Sequence, residues 1–316
     1  LTKDQQSNAT EKFDFASLRD PLIIGGVFYI IAIVLWFITD YLFYLFNFVY
    51  IGTAIALGIG LYAALPRKKK GIGRQVAQFL VGGYMLIFLG FIQKENMQIE
   101  GFFFYLLSGL FAGSVIHYLV AKVFGPIIFG RGWCGWACWT AAILDLLPYN
   151  KKLPGRQPKL GIVRFIHFFA SLAMVLILWF VFGYRPGTQS NHELYWLLAG
   201  NAFYYLAAIA MAVGFKDNRA FCKYLCPIPT IQKVTSRFSM LKIDGKGDEC
   251  TNCGACIRAC PMDIRVSDYI RDGKRVLSTE CIYCLECVNA CPVQILDSSF
   301  FAFDFEWGEN LRFKGE

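Results

Sequence analysis

"CTNCGACIRACP" (Cys250–Pro261) and "CIYCLECVNACP" (Cys281–Pro292) share one spacing, C-x2-C-x2-C-x3-C-P. Three closely spaced thiolates can wrap three irons of one cubane, while the fourth, held away by the proline that follows, ligates the other cluster of a pair. The spacing therefore predicts two 4Fe-4S clusters with crossed ligands: Cys250, Cys253, Cys256 and Cys291 on the first, and Cys281, Cys284, Cys287 and Cys260 on the second. Zinc or a disulfide framework is the rival reading, but a zinc site does not need eight ligands at this repeat.

Upstream of these runs the composition changes. Of 316 residues, 56% are hydrophobic and only 17% charged, which is a membrane protein's balance. The net charge of +8 would suit nucleic acid, yet no nucleic-acid motif accompanies it and the basic residues cluster beside apolar runs. Six such runs stand out: Leu22 to Ile38, Leu42 to Leu65, Val76 to Ile92, Phe102 to Phe124, Leu160 to Phe182 and Trp196 to Phe215. Each falls near the ~17–25 residues that cross a hydrocarbon core as a helix. The second follows the first too closely for a cleaved signal peptide. The chain opens on Leu1, which leaves its true start open.

Lys and Arg assign the sides. Lys3, Lys12 and Arg19 precede the first run; Arg67, Lys68, Lys69, Lys70 and Arg74 follow the second; Arg131, Lys151, Lys152, Arg156 and Lys159 follow the fourth. The alternate connections hold no basic residue, then Lys94, then Arg185. The expected fold is a membrane α-helical bundle of about six transmembrane helices over residues 1–215, in the cell inner (cytoplasmic) membrane with both termini and the clusters on the cytoplasmic side. Residues 216–316 form a cytoplasmic segment, with an α+β two-cluster domain of bacterial ferredoxin type at about 240–300. The aromatic tail from Leu296 is expected to pack back on that domain or on the membrane surface.

Four of the 12 cysteines remain, in two C-x3-C pairs: Cys134 and Cys138 in the loop 131–140, and Cys222 and Cys226 in "FCKYLCPIP". If those segments are helical, a spacing of four puts both thiols of a pair on one face. The charge pattern puts both pairs at one membrane boundary, where they make a tetrathiolate set for a third iron–sulfur cluster. A redox-active dithiol, another metal or structural cysteines stay open. Trp133, Trp136 and Trp139 bracket the first pair, either as interface anchors or as a water-excluding ring.

The order GRGWCGWACWT, FCKYLCP and the two quartets resembles the membrane-bound polyferredoxins of NapH-like, NosR-like and CcoG-like type, over roughly Phe102 to Pro292. The resemblance implies two 4Fe-4S clusters on the eight cysteines of the quartets. It also implies two C-x3-C-P elements; Cys222, Cys226 and Pro227 match, whereas Trp139 stands where the first proline is expected. Six spans depart from the four of the NapH-like group.

Three histidines exist, and His192 is expected in a solvated loop. His117 and His167 lie inside apolar runs, where ionisable groups are functional candidates, with Arg164 one turn from His167 and expected to snorkel to the headgroups. A quinone site, a proton relay, structural hydrogen bonding or, least favoured, a b-type haem could use them.

The expectation is an electron-transfer component of a quinone-linked oxidoreductase, passing electrons between a cytoplasmic redox partner and the quinone pool or a membrane partner subunit. Two rivals are a metal-reducing assembly factor for a respiratory oxidase and a redox-regulatory membrane protein. The first carries a large domain after its clusters, where this chain has 25 residues after Cys291. The second carries an external flavin-binding domain, for which the outward loops here are short.

Overall fold

The computed structural model describes residues 18–110, 113–149, 155–185, 187 and 190–300. The chain divides into two compact units, 1–81 and 82–316. In the first, helices Arg19–Thr39 and Leu42–Ala64 form an antiparallel hairpin. Asp40 turns the chain in the left-handed region and donates its N–H to the Trp36 carbonyl. Outward faces stay apolar, with Leu22 73% and Phe37 77% exposed, as suits a lipid environment better than water. A third helical stretch, Arg67–Ile92, runs on through Val81, and Arg74 is buried in it rather than standing in a loop.

Among the described residues, five helices are long and apolar enough to cross a membrane: Arg19–Thr39, Leu42–Ala64, Arg67–Ile92, Lys159–Phe180 and Asn191–Phe215. They correspond to five of the six apolar runs. The run from Phe102 to Phe124 is not one helix. Ile99–Leu107 ends at Gly109, which takes φ +66, and a shorter helix, Gly113–Phe129, begins beyond it. The Glu95 carboxylate accepts the Ser114 N–H (3.0 Å), supplying a partner for the new helix's first turn. Hydropathy cannot see this break, because Ile99 and Phe102 to Tyr105 are apolar for another reason: they are buried in the protein's interior.

In the second unit the C-terminal domain is built on strands β1 (Leu241–Gly245) and β2 (Leu296–Phe300), paired antiparallel with Leu241 opposite Phe300 and Gly245 opposite Leu296. The start of the aromatic tail thus packs back on the domain as a strand; residues 301–316 lie outside the described residues. Between the strands the two cysteine quartets repeat one backbone conformation. Asn252 and Tyr283, Gly254 and Leu285, and Asp263 and Gln294 all take positive φ at matching positions. Leu285 accepts there the left-handed geometry that suits Gly254.

Candidate iron–sulfur sites and the charged loop between them

Each quartet places its third cysteine in a five-residue helix, Cys256 in Ala255–Ala259 and Cys287 in Glu286–Ala290. The fourth cysteine leaves the helix in extended backbone, Cys260 at φ −72, ψ 114 and Cys291 at φ −71, ψ 114. That exit carries each fourth thiol away from its own three. One cavity is lined by Cys260, Cys281, Cys284 and Cys287. A second is lined by Cys250, Cys253, Cys256 and Cys291. The Ile264 N–H points at the Cys260 sulfur (3.4 Å), as suits a thiolate ligand. Four thiols around a space rather than a point fit a cluster at each.

The C-x3-C pairs follow the same local plan. Cys134 lies in the helix Gly132–Trp136, and Cys138 stands outside it in extended backbone (φ −79, ψ 120). Cys222 lies in Ala220–Tyr224, and Cys226 follows its end. The expectation that each pair shares a helix face is therefore corrected: the helix stops between the two thiols. The pairs nevertheless converge, since Cys138, Cys222 and Cys226 each lie within electrostatic reach of the others or of Cys134. The Trp139 indole donates to Asn201 Oδ1 (3.0 Å), well inside Asn191–Phe215, so the loop enters the bundle.

Two of the tryptophans serve as braces between elements rather than as anchors at a boundary. Trp136 donates to the Tyr283 carbonyl (2.8 Å). Trp133 lies between the His117 ring, edge-on with centroids 4.6 Å apart, and the Lys122 ammonium, 4.7 Å from its centroid. The loop of the Cys281 cavity rests directly on the C-x3-C loop: a Cβ on Gly135 would stand 2.2 Å from the Ile282 carbonyl oxygen.

Charge surrounds this junction. Glu280, next to Cys281, pairs with Arg131 (2.5 Å), Arg156 (3.0 Å), Arg164 (3.1 Å) and Lys233 (2.5 Å). Burial alone would raise its carboxyl; Arg131, Arg156 and Lys233 outweigh burial and hold it at about 2. Arg164 thus turns into the protein and does not snorkel outward, because Glu280 offers a buried charge partner. Arg131 and Arg156, which read as topology signals, belong to the same ion cluster. Arg219 pairs with Asp145 (2.6 Å), donates to the Cys134 carbonyl (3.3 Å) and approaches the Cys222 sulfur (3.9 Å).

Burial pushes the Cys222 thiol up to about 11 against the pull of Arg219, and burial likewise raises Cys138 and Cys226. Neutral thiols would leave the cations beside them poorly matched. Nε and Nη2 of Arg131, Nη2 of Arg164 and Nε of Arg219 are already buried without a hydrogen-bond partner among the described residues. Such orphans mark a site that fits an anionic group. Four thiolates ionised together on a cationic metal group supply that charge.

His117 is buried, its Nε2 without a hydrogen-bond partner among the described residues. His167 Nδ1 pairs with the Leu225 carbonyl (2.9 Å) and its ring lies edge-on to Tyr204. The two histidines face different neighbours. His192 is exposed in the first turn of Asn191–Phe215, not in a loop. Sequence reasoning missed Glu280, Lys122 and Arg219. A lysine inside an apolar run is itself a signal, and Lys122 carried it.

Residues 240–292 match the family described as a 4Fe-4S dicluster domain. Residues 111–157 and 201–244, which contain the two C-x3-C pairs, match the family described as a 4Fe-4S binding domain. The chain carries 4Fe-4S ferredoxin-type domains. Among curated relatives, it is similar to the uncharacterized protein MJ0749 of Methanocaldococcus jannaschii, 27% identical over 62% of this chain and 73% of the relative. It is also similar to the methylamine utilization ferredoxin-type protein MauN of Methylobacillus flagellatus, 25% identical over 63% of this chain and 78% of the relative. MauN of Paracoccus denitrificans is 24% identical over 59% and 71% respectively. No solved structure matches the chain.

Proposed function

We propose that the chain is an integral-membrane electron-transfer protein of the NapH-, NosR- and CcoG-like type, working between a cytoplasmic redox partner and the quinone pool or a partner subunit in the bilayer. The observation that carries this reading is the contact of Ile282 and Tyr283 with Gly135 and Trp136. It joins the loop between two cavity thiols, Cys281 and Cys284, to the loop between Cys134 and Cys138. Cys250, Cys253, Cys256 and Cys291 hold one 4Fe-4S cluster, and Cys260, Cys281, Cys284 and Cys287 the second. Cys134, Cys138, Cys222 and Cys226 hold a third among the helices. Bound there, such clusters supply one-electron chemistry, while the chain supplies position, insulation and charge. The tryptophans and the buried apolar side chains of Ile99 and Phe102 to Tyr105 keep water out of the helical interior. This reading assigns both termini and the ferredoxin sites to the cytoplasmic side, and the basic stretch Arg67, Lys68, Lys69 and Lys70 supports it.

The test is iron content with an EPR redox titration of the full-length protein in detergent. About twelve irons per chain are expected, from four per cubane. Serine at both Cys134 and Cys222 should remove one cluster's iron and its signal, leave the two ferredoxin signals, and stop quinone-linked electron transfer. About eight irons in the undamaged protein, with that variant fully active, would refute the third site.

A further inference from the structure

We propose that the site of Cys250, Cys253, Cys256 and Cys291 is the port at which a soluble one-electron carrier protein docks, and that the site of Cys260, Cys281, Cys284 and Cys287 is an enclosed relay between that port and the helices. The inference rests on the cluster assignments and the cytoplasmic partner proposed above.

The two sites are walled differently. None of the residues lining the cavity of Cys260, Cys281, Cys284 and Cys287 is exposed, and Ile243, Met262, Ile264, Val266, Val276 and Ile282 close it with side chains at most 2% exposed. The cavity of Cys250, Cys253, Cys256 and Cys291 opens to solvent instead. Thr251, Asn252, Cys253, Pro292 and Val293 all line it and are all exposed. Electron transfer between proteins falls steeply with distance, so a carrier gains by docking where a cluster ligand reaches the surface.

The enclosed site faces the other way. Its loop at Ile282 and Tyr283 rests on Gly135 and Trp136. Asp263, three positions after Cys260, pairs with Lys223 (2.5 Å), which lies between Cys222 and Cys226. Cys134 itself packs against the buried core to which Cys260, Cys284 and Cys287 belong. The same core holds Cys256 and Cys291, and the helices Ala255–Ala259 and Glu286–Ala290 pack together across it, so the port and the relay are neighbours.

The rim of the port also indicates the kind of partner. Thr251, Asn252, Pro292 and Val293 carry no charge, and the charged residues next to them in the chain, Lys246, Asp248, Glu249 and Arg258, are two of each sign. Lys246 pairs with Glu249 (3.1 Å), and Arg258 donates to the Cys253 carbonyl (3.0 Å). Such a rim suits a carrier with a small, uncharged contact face and a short-lived complex, as in electron-transfer pairs that bury less than ~1,200 Å². In the delivering direction the carrier is oxidised by one electron and the port is reduced; the port is then reoxidised as the relay is reduced.

The test mixes the full-length protein in detergent with a reduced soluble 2Fe-2S ferredoxin as the probe, followed by freeze-quench EPR and by hydrogen–deuterium exchange. The probe should protect residues 251–254 and 292–294 from exchange and leave 278–285 unchanged. Val293→Trp, which covers the rim without touching a thiol, should keep its iron and its midpoints. Reduction of both ferredoxin sites by the probe should slow roughly tenfold or more in that variant, equivalent to about 1.4 kcal/mol of docking, and Val293→Ala should stay fast. Where Val293→Trp fails to assemble, Thr251→Tyr on the facing lip should give the same slowing. Protection at 278–285 in place of the rim, or full-rate reduction in whichever rim variants assemble, overturns the port while the electron-transfer reading stands. An unmodified protein that the probe neither protects nor reduces, with both ferredoxin signals present, defeats the soluble-partner reading and the port with it.

Discussion

Trp136 donates its indole N–H to the carbonyl oxygen of Tyr283, 147 positions along the chain, at 2.8 Å. The bond holds the loop of one cysteine cavity against the loop of the C-x3-C pair. Next to it Gly135 leaves no room for a side chain, because the obstacle is the Ile282 backbone carbonyl and not a movable side-chain end.

Gly135→Ala should therefore separate the two loops without touching a thiol. Iron content should be unchanged. Reduction of the proposed third cluster from the ferredoxin sites, followed by freeze-quench EPR, should slow at least tenfold. Trp136→Phe, which loses one hydrogen bond of about 1 kcal/mol, should slow it less. Equal rates in Gly135→Ala and the unmodified protein would show that this contact is not the route.

Glu280 gathers four cations, so replacing it by glutamine leaves buried like charges facing one another. The loss should reach about 3–5 kcal/mol of stability, as for one partner removed from a buried ion pair, and a lowered melting temperature would register it. The pH dependence has a definite sign. The folded carboxyl is held at about 2, below the ~4.3 of an unfolded glutamate. Its contribution is thus complete above ~4.3 and is lost as pH falls toward 2. The gap in melting temperature between the unmodified protein and Glu280→Gln should be full at pH 6 and narrow below pH 4.

The quartets were legible because three of the four cysteines lining each cavity are close neighbours in the chain, and the fourth stands at a fixed spacing in the other repeat. The Arg19–Ala64 hairpin was legible too, since apolar length and a two-residue link suffice to specify it. The break at Gly109 was not. A residue facing lipid and one facing other helices have the same hydropathy, so a buried half-length helix reads as part of a span. The extended backbone at Cys138 was hidden for a related reason, as no proline marks it. Least legible was the convergence on Glu280, where Arg131, Arg156, Arg164 and Lys233 arrive from separate parts of the chain. Taken singly, three of these looked like topology signals or a snorkelling side chain.

Because Arg131 and Arg156 have a structural use, the assignment of sides leans on Arg67, Lys68, Lys69 and Lys70. Reporter fusions near Lys70 and after the ferredoxin domain should give cytoplasmic signals, and fusions near Asp40 and Lys94 the opposite. Lys68→Gln with Lys69→Gln should weaken that orientation, whereas Arg131→Gln should leave it intact and destabilise the fold instead. A C-terminal fusion active on the outer side would overturn the assignment and the cytoplasmic partner with it.

The crossed ligands can be tested at the two extended cysteines. Cys291 follows Cys287 by four positions yet lines the cavity of Cys250, Cys253 and Cys256, and Cys260 follows Cys256 yet lines the cavity of Cys281, Cys284 and Cys287. The sites also differ in exposure: Cys253 is exposed, while Cys260, Cys284 and Cys287 are buried. Their two signals should accordingly respond differently to a water-soluble paramagnetic relaxant, with the signal of the Cys253 site broadened first. Serine at Cys291 should then perturb the relaxant-sensitive signal, and serine at Cys260 the protected one. Were each serine to damage the signal of its own sequence quartet instead, the fourth cysteines would not cross, and the extended exits at ψ 114 would need another explanation.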